Sequence, residues 1–364
     1  MLFHELGEIF ELLARGILLP SVFLEAPRRP ALAAEADLVA RVAQLDEMRR
    51  IRVVTNKDVD FEKWVNATDP SKDIRDVSVI LDELKESLMA GEPEVTQTMP
   101  WASTKKTFQY RSGEVTVYAG ANGGGKSLIT GQIALGLIRQ GVAVCIASFE
   151  MKPKRTIQRM LRQFSGQNLE HTHLMGGDIS PYFDRLESYA GGKLFLYNQQ
   201  GTVNSRQVLG VARYCAVELR VKHFIIDSLM KCVAGEDDYN GQKAFIDELC
   251  SLARDHNIHI HLVHHIRKQD SDETKPNKND LKGSGSIADQ VDNVFLMWRN
   301  KKKEHDFQLN GESDPKQPDA VLMCEKQRNG DAEDWYSLWF HADSQQFLDS
   351  STGKVIDFDS NGDF

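Results

Sequence analysis

The sequence predicts an α/β fold in which a mostly parallel sheet carries helices on both faces. From residue 113 onward, short apolar runs alternate with stretches of helical periodicity, which is typical of such a sheet. The run Gly120-Ala121-Asn122-Gly123-Gly124-Gly125-Lys126-Ser127 also matches the phosphate-binding pattern GxxxxGK followed by Ser or Thr, between a predicted strand and a predicted helix. A chain of 364 residues is long enough for one large domain and a smaller region.

Composition and charge restrict the class of protein. The net charge of −9 does not favour a surface that is sticky for nucleic acid throughout, although local basic loops in a channel would still bind DNA. No apolar run reaches the ~20 residues of a membrane span. The apolar N-terminus carries Glu5, Glu8 and Glu11, which indicates an amphipathic helix and not a signal peptide. The 5 cysteines form no CxxC pair, so we expect reduced thiols and a cytoplasmic location, or the host cytoplasm if the protein is viral.

The chain divides into four predicted segments. They are an N-terminal, mainly helical region of unknown role (1–72), a linker helix (73–92), the α/β domain (93–350) and an acidic C-terminal tail (351–364). Helices are predicted within 1–35 and 36–52, whereas 53–72 is rich in turns. The linker helix places Ile74, Val77, Ile80, Leu81, Leu84 and Leu88 at helical spacing. This apolar stripe must be buried, either on the chain's own core or on a neighbouring subunit.

Within the α/β domain, the predicted elements follow one another in order. The predicted strands are Val115–Ala119, Val142–Ser148, Lys193–Tyr197, His223–Asp227, Ile258–His264, Val294–Trp298 and Ala320–Glu325, the last of which closes the set. The predicted helices run from the phosphate-binding loop to about Arg139, from Pro153 onward, over Ser205–Val221 and over Gln242–His256.

The glycine-rich loop predicts a nucleotide site. The loop residues Gly120, Asn122, Gly123, Gly124 and Gly125 let main-chain N–H groups turn towards phosphate oxygens, and the following helix adds a favourable dipole. Lys126 is predicted to bridge the β- and γ-phosphates of ATP or another nucleoside triphosphate, and the Ser127 hydroxyl to bind Mg²⁺.

Two carboxylates follow apolar strands. Asp227 ends the strand Phe224-Ile225-Ile226, and Glu150 follows the strand that ends at Ser148. Because the carboxyl ends of parallel strands share one edge of the sheet, both side chains are predicted to lie near the phosphates. Asp227 is then a Mg²⁺ ligand, and Glu150 is a base that activates water.

Two further groups of residues could suggest metal sites, but the rest of the sequence disfavours both. His259, His261 and His265 alternate onto one face of a strand, with His264 on the other, but no cysteine or Glu-x-x-His pattern accompanies them, so zinc is disfavoured. His265 is better explained as a residue that senses the γ-phosphate. Asp58 and Asp60 form a DxD pair, but the other elements of a primase metal site are absent.

Five strings occur in an order that resembles a known family. They are SFEM (148–151), FIIDS (224–228), VHHIRK (263–268), DLKGSGSIADQVDNV (280–294) and EKQRNG (325–330). They resemble the motifs of the DnaB-type ring helicases of superfamily 4, a family that includes phage primase–helicases and bacterial DnaB. The resemblance covers residues 95–345 and implies a RecA-like core, a phage-like replicative helicase and a hexameric ring.

The resemblance also implies roles for individual residues. Glu150 takes the place of the catalytic carboxylate, and Asp227 that of the Walker B residue. His265 takes the sensor position. Arg328 corresponds to the finger that reaches the neighbour's γ-phosphate, with Lys326 beside it, and Arg299 resembles an arginine that lies against the base.

The polar loop after the histidine strand is predicted to contact single-stranded DNA. Its DNA-binding residues are Arg267, Lys268, Lys275, Lys278, Lys282, Gly283, Ser284 and Gly285. Because the loop itself contains no aromatic residue, contact with the phosphate backbone is favoured over base stacking. A solvated charged loop is the alternative.

The sequence therefore predicts an ATP-dependent, hexameric helicase that moves on single-stranded DNA during replication. The alternatives are a RecA- or RadA-like recombination ATPase without processive unwinding and a loader that only binds nucleotide. A primase, a polymerase or a helicase loader are further expected partners. The tail at 355–364, with Phe358 and a terminal Phe364 among aspartates, is predicted to be mobile and to offer its aromatic rings to a polymerase.

Overall fold

The computed structural model divides the chain into two units, Met1–Met48 and Arg49–Phe364, and every described residue belongs to the second. The described residues are 50–67, 77–90, 96–235, 237–269, 271, 273–283 and 285–360. The helices predicted before residue 50, Ser284 and Phe364 therefore lie outside the described residues.

A ten-stranded sheet forms the centre of the domain. Its strands are β1 (Arg52–Val54), β2 (Val115–Gly120), β3 (Val144–Ser148), β4 (Leu194–Tyr197), β5 (His223–Asp227), β6 (His259–His265), β7 (Asn293–Arg299), β8 (Ala320–Gln327), β9 (Trp335–His341) and β10 (Gln346–Leu348). They lie in the order β1-β4-β3-β5-β6-β2-β7-β8-β9-β10. The strands from β1 to β7 in this order pair in parallel, whereas β8, β9 and β10 are each antiparallel to the strand before. The predicted α/β class with a mostly parallel sheet is confirmed.

Helices cover both faces of this sheet. They are α1 (Phe61–Val65), α2 (Val77–Ala90), α3 (Lys126–Arg139), α4 (Pro153–Ser165), α5 (Leu169–Leu174), α6 (Ser180–Ala190), α7 (Ser205–Val217), α8 (Tyr239–His256), α9 (Ile287–Gln290) and α10 (Lys301–Asn310). One buried apolar cluster joins the sheet to α1, α7, α8 and α9, and a second joins it to α3, α4 and α6. Within the described residues, no helix is both long enough and apolar enough to cross a membrane.

Residues 52–66, which the sequence analysis assigned to the N-terminal region, are part of the sheet and its core. Strand β1 pairs with β4, and helix α1 packs on α7. Val54 and Trp64 are buried in the same apolar cluster as α7. The sequence did not predict this because strand β1 has only three residues, too few to show a period.

The prediction that Ala320–Glu325 closes the sheet is wrong. Strands β9 and β10 extend the sheet beyond β8, which itself continues to Gln327. Strand β9 does alternate, because Tyr336 and Leu338 are buried while Trp335 and Ser337 are exposed. Strand β10 has three residues and is buried throughout, so its sequence carries no alternation.

The prediction of a mobile tail with a free Phe358 is also wrong. The Phe358 side chain is 1% exposed and lies in the apolar cluster beneath α3 and α4. The Gln346 side chain binds both the N–H and the carbonyl of Ile356, at 2.8 and 3.0 Å. Arg185 forms an ion pair with Asp359 at 2.8 Å. Residues 355–360 therefore belong to the α/β domain, and Phe358 is not available to a polymerase.

Helix α2 lies within the predicted linker helix. Its side chains Val77, Leu81, Leu84 and Leu88 are all more than half exposed. They follow one another at spacings of four, three and four residues, so they share one face of the helix. This stripe is therefore not buried on the chain's own core.

Candidate functional site

The glycine-rich loop lies between β2 and α3, as predicted. Gly123 and Gly125 have φ of +71° and +95°, which other residues rarely adopt. A β-carbon at Gly125 would lie 2.9 Å from the Phe347 ring, so the loop also has no room for a side chain there. Asn122 and Gly123 are exposed, whereas Gly124 is buried. The loop thus presents its tip to solvent and its base to the core.

Lys126 folds back over this loop. Its Nζ donates hydrogen bonds to the carbonyls of Gly120 at 2.9 Å and Ala121 at 2.8 Å. Burial lowers the pKa of Lys126 to about 8, although the nearby Asp227 and Glu150 act to raise it. The ammonium is held where the phosphates of a bound nucleotide would restore its preference for the charged form.

Ser127 and Asp227 meet across the edge of the sheet. The Ser127 hydroxyl donates to Asp227 Oδ2 at 2.6 Å. Burial raises the pKa of Asp227, which is 5% exposed, and the hydrogen bond from Ser127 acts to lower it. A hydroxyl and a buried carboxylate are oxygen ligands of the kind that Mg²⁺ takes beside nucleotide phosphates. The two residues fit the predicted Mg²⁺ site.

Glu150 and His265 lie at the same edge. The Phe149 N–H donates to the Asp227 carbonyl at 2.7 Å and so joins the ends of β3 and β5. Glu150 follows this junction, with its side chain 40% exposed and its Oε1 at 3.9 Å from His265 Nε2. The Ser228 hydroxyl donates to the same oxygen at 3.1 Å. The structure therefore gathers the predicted catalytic carboxylate, the sensor histidine and the Mg²⁺ ligand, and adds Ser228, which the sequence analysis did not name.

A second unpredicted group is Arg159 on α4. Its charge acts to lower the pKa of Asp227 from across the site, while burial and the charge of Arg155 lower the pKa of Arg159 itself. Arg155, Arg159 and Arg162 recur at helical spacing, a signal that was available in the sequence. Arg159 thus adds a positive charge that acts on Asp227.

Arg299 lies beside the tip of the glycine loop, and its predicted contact with the nucleotide base stays a prediction. Its Nη1 donates to the Gly123 carbonyl at 2.9 Å, and its Nε pairs with Glu304. An adjoining cavity of about 690 Å³ opens between the loop, α10 and the β9–β10 hairpin. Its lining includes the aromatic side chains Phe307, Trp339, Phe340 and Phe347. A cavity with aromatic walls next to a phosphate-binding loop is suited to a nucleobase.

Arg328 lies at the opposite edge of the sheet. Gly120 at the end of β2 pairs with Met297, whereas Gln327, just before Arg328, pairs with Asn293 at the start of β7. The six residues of β2 rise about 3.3 Å each, so the two edges are roughly 17 Å apart. Arg328 cannot reach the glycine loop of its own subunit.

Lys326 lies at this second edge too. Its Nζ donates to the carbonyls of Ala288 at 2.8 Å, Asp289 at 2.9 Å and Val291 at 2.7 Å. An ammonium has three donors, so all of them are used in closing the end of α9. Its ammonium is thus engaged within its own subunit, and its role beside the Arg328 finger at the neighbour's nucleotide stays a prediction.

The loop 268–282 is closed at its base near the glycine loop. This side of the sheet, where the parallel strands end, is called the nucleotide edge below. The Lys282 N–H donates to the His265 carbonyl at 2.9 Å, and the Arg267 N–H donates to the Asp280 carbonyl at 2.7 Å. The loop therefore begins and ends next to the predicted sensor histidine. The base of the loop is thus bonded to the end of β6.

The basic residues of this loop differ in their surroundings. Lys268 and Lys278 are exposed, as a DNA contact requires. Lys275 is exposed as well, but its Nζ lies 4.8 Å from the centre of the Trp335 ring and 5.3 Å from that of Trp298. These cation–π contacts fasten the loop to the sheet, and the contact of Lys275 with DNA stays a prediction.

Gly283 and Gly285, which follow the loop, differ in why glycine is present. A β-carbon at Gly283, whose φ is +90°, would lie 2.1 Å from Oε1 of Gln242 on α8. Gly283 is therefore required by its backbone conformation, independently of DNA, and a side chain there would also displace the end of Gln242. Gly285 has open space around it, so it is suited to a close approach by a phosphate.

The histidines of β6 do not form a metal site. His259 bonds to the Thr116 hydroxyl at 2.8 Å and the Arg111 carbonyl at 2.7 Å, and His261 bonds to His223 at 2.9 Å. Burial lowers the pKa of both His259 and His261. No group of three or more metal-binding side chains occurs in the part of the chain that the structure describes.

The DxD pair has a structural explanation. Asp58 accepts hydrogen bonds from the N–H and the hydroxyl of Thr55, both at 2.7 Å. Asp60 caps the first turn of α1 by accepting from the Lys63 N–H at 3.1 Å. Each carboxylate stabilises a local turn.

Comparison with known families identifies a match over most of the domain. The family described as the DnaB-like helicase C-terminal domain matches residues 104–349. The chain is 25% identical over 233 residues to the replicative DNA helicase DnaB of Treponema pallidum (strain Nichols). That alignment covers 62% of this chain and 49% of the relative, so the chain spans about half the length of the curated relative that it matches.

Two solved structures are similar to this one. The first, described as an ATPase domain, has a TM-score of 0.59 at 17% identity, and the match covers 76% of this chain and 99% of that chain. The second, a DnaB-like replicative helicase solved to show its interactions with primase, has a TM-score of 0.60 at 16% identity, with 76% and 67% covered. These similarities confirm the predicted RecA-like ATPase fold.

Proposed function

Because the chain belongs to the family of DnaB-like helicase C-terminal domains, we propose that it is an ATP-driven replicative helicase that works as a hexameric ring on single-stranded DNA. The observation that carries the proposal is the division of the ATPase residues between two edges of one sheet. Lys126, Ser127, Asp227 and Glu150 lie together on one edge, and Arg328 lies on the other. A complete site then needs two subunits.

The nucleotide edge supports hydrolysis of ATP. Main-chain N–H groups of the glycine loop and Lys126 bind the phosphates, and Arg299 with the adjoining cavity holds the base. Ser127 and Asp227 would hold Mg²⁺, which would supply positive charge beside the transferred phosphoryl group. Glu150 accepts a proton from the attacking water, and the Ser228 hydroxyl fixes the orientation of its carboxylate.

The opposite side of the sheet, which carries Arg328 and is called the finger edge below, completes the site of a neighbour. Arg328 is 42% exposed at its side chain and offers a guanidinium that matches phosphate geometry. His265 lies between Glu150 and the base of the loop 268–282, so it links the state of the phosphates to that loop. Lys268, Lys278 and Gly285 are the residues of this region best placed to bind a DNA backbone.

The apolar stripe of α2 supports assembly of the ring. A groove of about 510 Å³ lies between α4, α5 and α6, with Leu174 and Phe183 among its lining and both more than half exposed. We propose that α2 of a second copy occupies this groove. An exposed stripe and an exposed groove on one chain are complementary surfaces that repeat from subunit to subunit around a ring.

The family match favours the helicase over a recombination ATPase without unwinding. The presence of Lys126, Asp227, Glu150 and Arg328 in one chain disfavours a loader that only binds nucleotide. The similarity to a helicase solved for its interactions with primase makes a primase the first partner to test. A phage origin remains a prediction.

Strand displacement on forked DNA tests the proposed function. We expect the protein to separate the strands only with ATP and Mg²⁺, and its ATP hydrolysis to rise when single-stranded DNA is added. Lys126→Ala is the control that retains the fold but loses phosphate binding. Hydrolysis stimulated by DNA, without displacement on any fork, would instead support the recombination ATPase.

A further inference from the structure

Asp292 connects the strand of the glycine loop to the finger arginine. Its side chain is buried, and its Oδ2 accepts a hydrogen bond from the Val115 N–H, the first of β2, at 2.9 Å. Its Oδ1 pairs with Arg328 Nη1 at 3.0 Å. The main chain makes the same connection, because the Arg328 N–H donates to the Asp292 carbonyl at 3.0 Å and the Asp292 N–H to that of Val115 at 3.0 Å.

The guanidinium of Arg328 is held from one side only. Besides the ion pair through Nη1, its Nη2 donates to the carbonyls of Asp289 at 3.3 Å and Gln290 at 3.2 Å. A guanidinium has five donors in a fixed fork, so these three contacts set its plane and leave donors for a phosphate. The Arg328 side chain is 42% exposed while that of Asp292 is 5% exposed, so the remaining donors face outward.

A second buried carboxylate holds the next residue of the same hairpin. Glu114, which precedes β2, accepts from the Asn329 side chain at 2.7 Å through Oε1. Its Oε2 accepts from the Asn293 side chain at 2.9 Å. Residues 328 and 329 are thus each tied to an acid at the entry of β2. Both acids are buried, so their positions are set by the sheet.

We propose that Asp292 and Glu114 are positioning residues that aim Arg328 at the nucleotide of the neighbouring subunit. Arginine fingers act through a few donors directed at charge that develops in the transition state, so their orientation matters as much as their presence. An arginine on a hairpin end has many rotamers, and two anchored carboxylates reduce them before the neighbour arrives. This inference rests on the proposed role of Arg328 in trans.

The test uses rings of the full chain and a charge-neutral variant. Asp292→Asn keeps an oxygen for the Val115 N–H and removes the charge that faces Arg328. A misplaced catalytic group costs on the order of 10²-fold, so we expect kcat for ATP hydrolysis to fall about 10²-fold with KM nearly unchanged. Asp289→Asn is the matched control, because Asp289 is exposed beside Arg328 and contacts it only through its carbonyl. It should keep full activity.

Mixed rings separate a positioning role from a structural one. An Asp292→Asn subunit retains its own glycine loop, and a Lys126→Ala subunit retains its own finger. Adding Lys126→Ala protein should therefore raise the activity per Asp292→Asn subunit, as it should for Arg328→Ala. Rescue of Arg328→Ala without rescue of Asp292→Asn would place the defect within the variant's own site and overturn this inference alone. Failure of both rescues would overturn the trans role itself.

A second variant keeps the inference testable if Asp292→Asn fails to fold, as judged by circular dichroism and nucleotide binding. Asn329→Ala changes an exposed residue and releases the hairpin from Glu114. Loss of one charge-assisted hydrogen bond predicts a fall in kcat of about tenfold, again rescued in mixed rings. Unchanged kcat in Asn329→Ala would contradict the proposal.

Discussion

The two edges of the sheet differ in how their residues are held. On the nucleotide edge, Ser127 bonds to Asp227, the charge of Asp227 acts on Lys126, and burial perturbs the pKa of both ionisable groups. On the finger edge, Arg328 is paired with a fixed carboxylate and still faces solvent. Under the proposed function, the first edge binds the nucleotide and the second acts on a neighbour. One chain would then carry two half-sites that only assembly joins.

The largest expected effect comes from removing the finger. Arginine fingers contribute about 10³–10⁵ in rate, so Arg328→Ala should lose hydrolysis by that factor while binding ATP normally. Mixing it with Lys126→Ala protein should restore part of the activity, since each then supplies what the other lacks. Steady-state hydrolysis at varied mixing ratios measures this. Full activity of Arg328→Ala alone would remove the finger edge from catalysis.

The next effect concerns the nucleotide edge. A positioned general base contributes about 10²–10⁴, so Glu150→Gln should bind ATP and Mg²⁺ yet hydrolyse ATP more slowly by that factor. Unlike Arg328→Ala, Glu150→Gln should recover no activity when it is mixed with Lys126→Ala protein. The partner supplies only an intact Arg328, and the defect lies at Glu150 itself. Glu187→Gln, an exposed glutamate on α6, is the matched control and should be unaffected. Near-normal turnover in Glu150→Gln would exclude Glu150 from the chemistry.

The third prediction separates the edges physically. Burying one leucine is worth about 1.5–3 kcal/mol, so Leu84→Asp should raise the concentration of half-assembly by at least about 10- to 100-fold. ATP hydrolysis should decrease as the ring dissociates, because each nucleotide edge then lacks the Arg328 of a neighbour. Light scattering and hydrolysis at matched concentrations test this. Glu86→Ala, on the opposite face of α2, should leave the ring intact. Rings that persist in Leu84→Asp would show that α2 docks elsewhere.

The fourth prediction uses the pKa of Lys126, which burial lowers to about 8. The protonated lysine binds phosphate, so below a pH of about 8 nucleotide affinity should be independent of this group. At higher pH the lysine must take up a proton on binding, and affinity should fall by up to about tenfold per pH unit. Lys126→Arg, which stays charged, should bind with little pH dependence in this range. If the nucleotide affinities of the unchanged protein and of Lys126→Arg depend on pH in the same way, the lowered pKa of Lys126 is contradicted.

The sequence predicted the nucleotide edge better than the finger edge. The glycine loop, Asp227 and Glu150 each follow a strand, and strand direction alone places them together. Arg328 follows the antiparallel strand β8, so no such rule locates it, and only the family resemblance named it. Asp292 was contained in the family string but has no motif of its own, because its role depends on the pairing of β7 with β2 and β8.

The errors in the fold have physical causes of the same kind. Strand β1 is recognisable only through its pairing with β4, and the tail only through the pocket that Phe358 fills. Composition favoured mobility for the tail, but a single buried aromatic and the contacts of Gln346 outweigh that preference. Lys275 likewise has two ring partners, Trp298 and Trp335, that lie far from it in sequence.

The smallest expected effect concerns the loop 268–282, which begins at the nucleotide edge and leads through α9 to the finger edge. Each lost phosphate contact should reduce the salt dependence of single-strand binding by a slope of about 0.7. Lys268→Ala with Lys278→Ala should therefore reduce the slope by about 1.4, because both side chains are exposed. Lys275→Ala is the internal comparison: Lys275 is exposed too, but its ammonium lies on Trp298 and Trp335, so the slope should hardly change. Fluorescence anisotropy of labelled single strands between low and moderate salt measures both. If instead Lys275→Ala reduces the slope and the double variant does not, the loop must leave the tryptophans when DNA binds, and the link it makes between the two edges would open during each cycle.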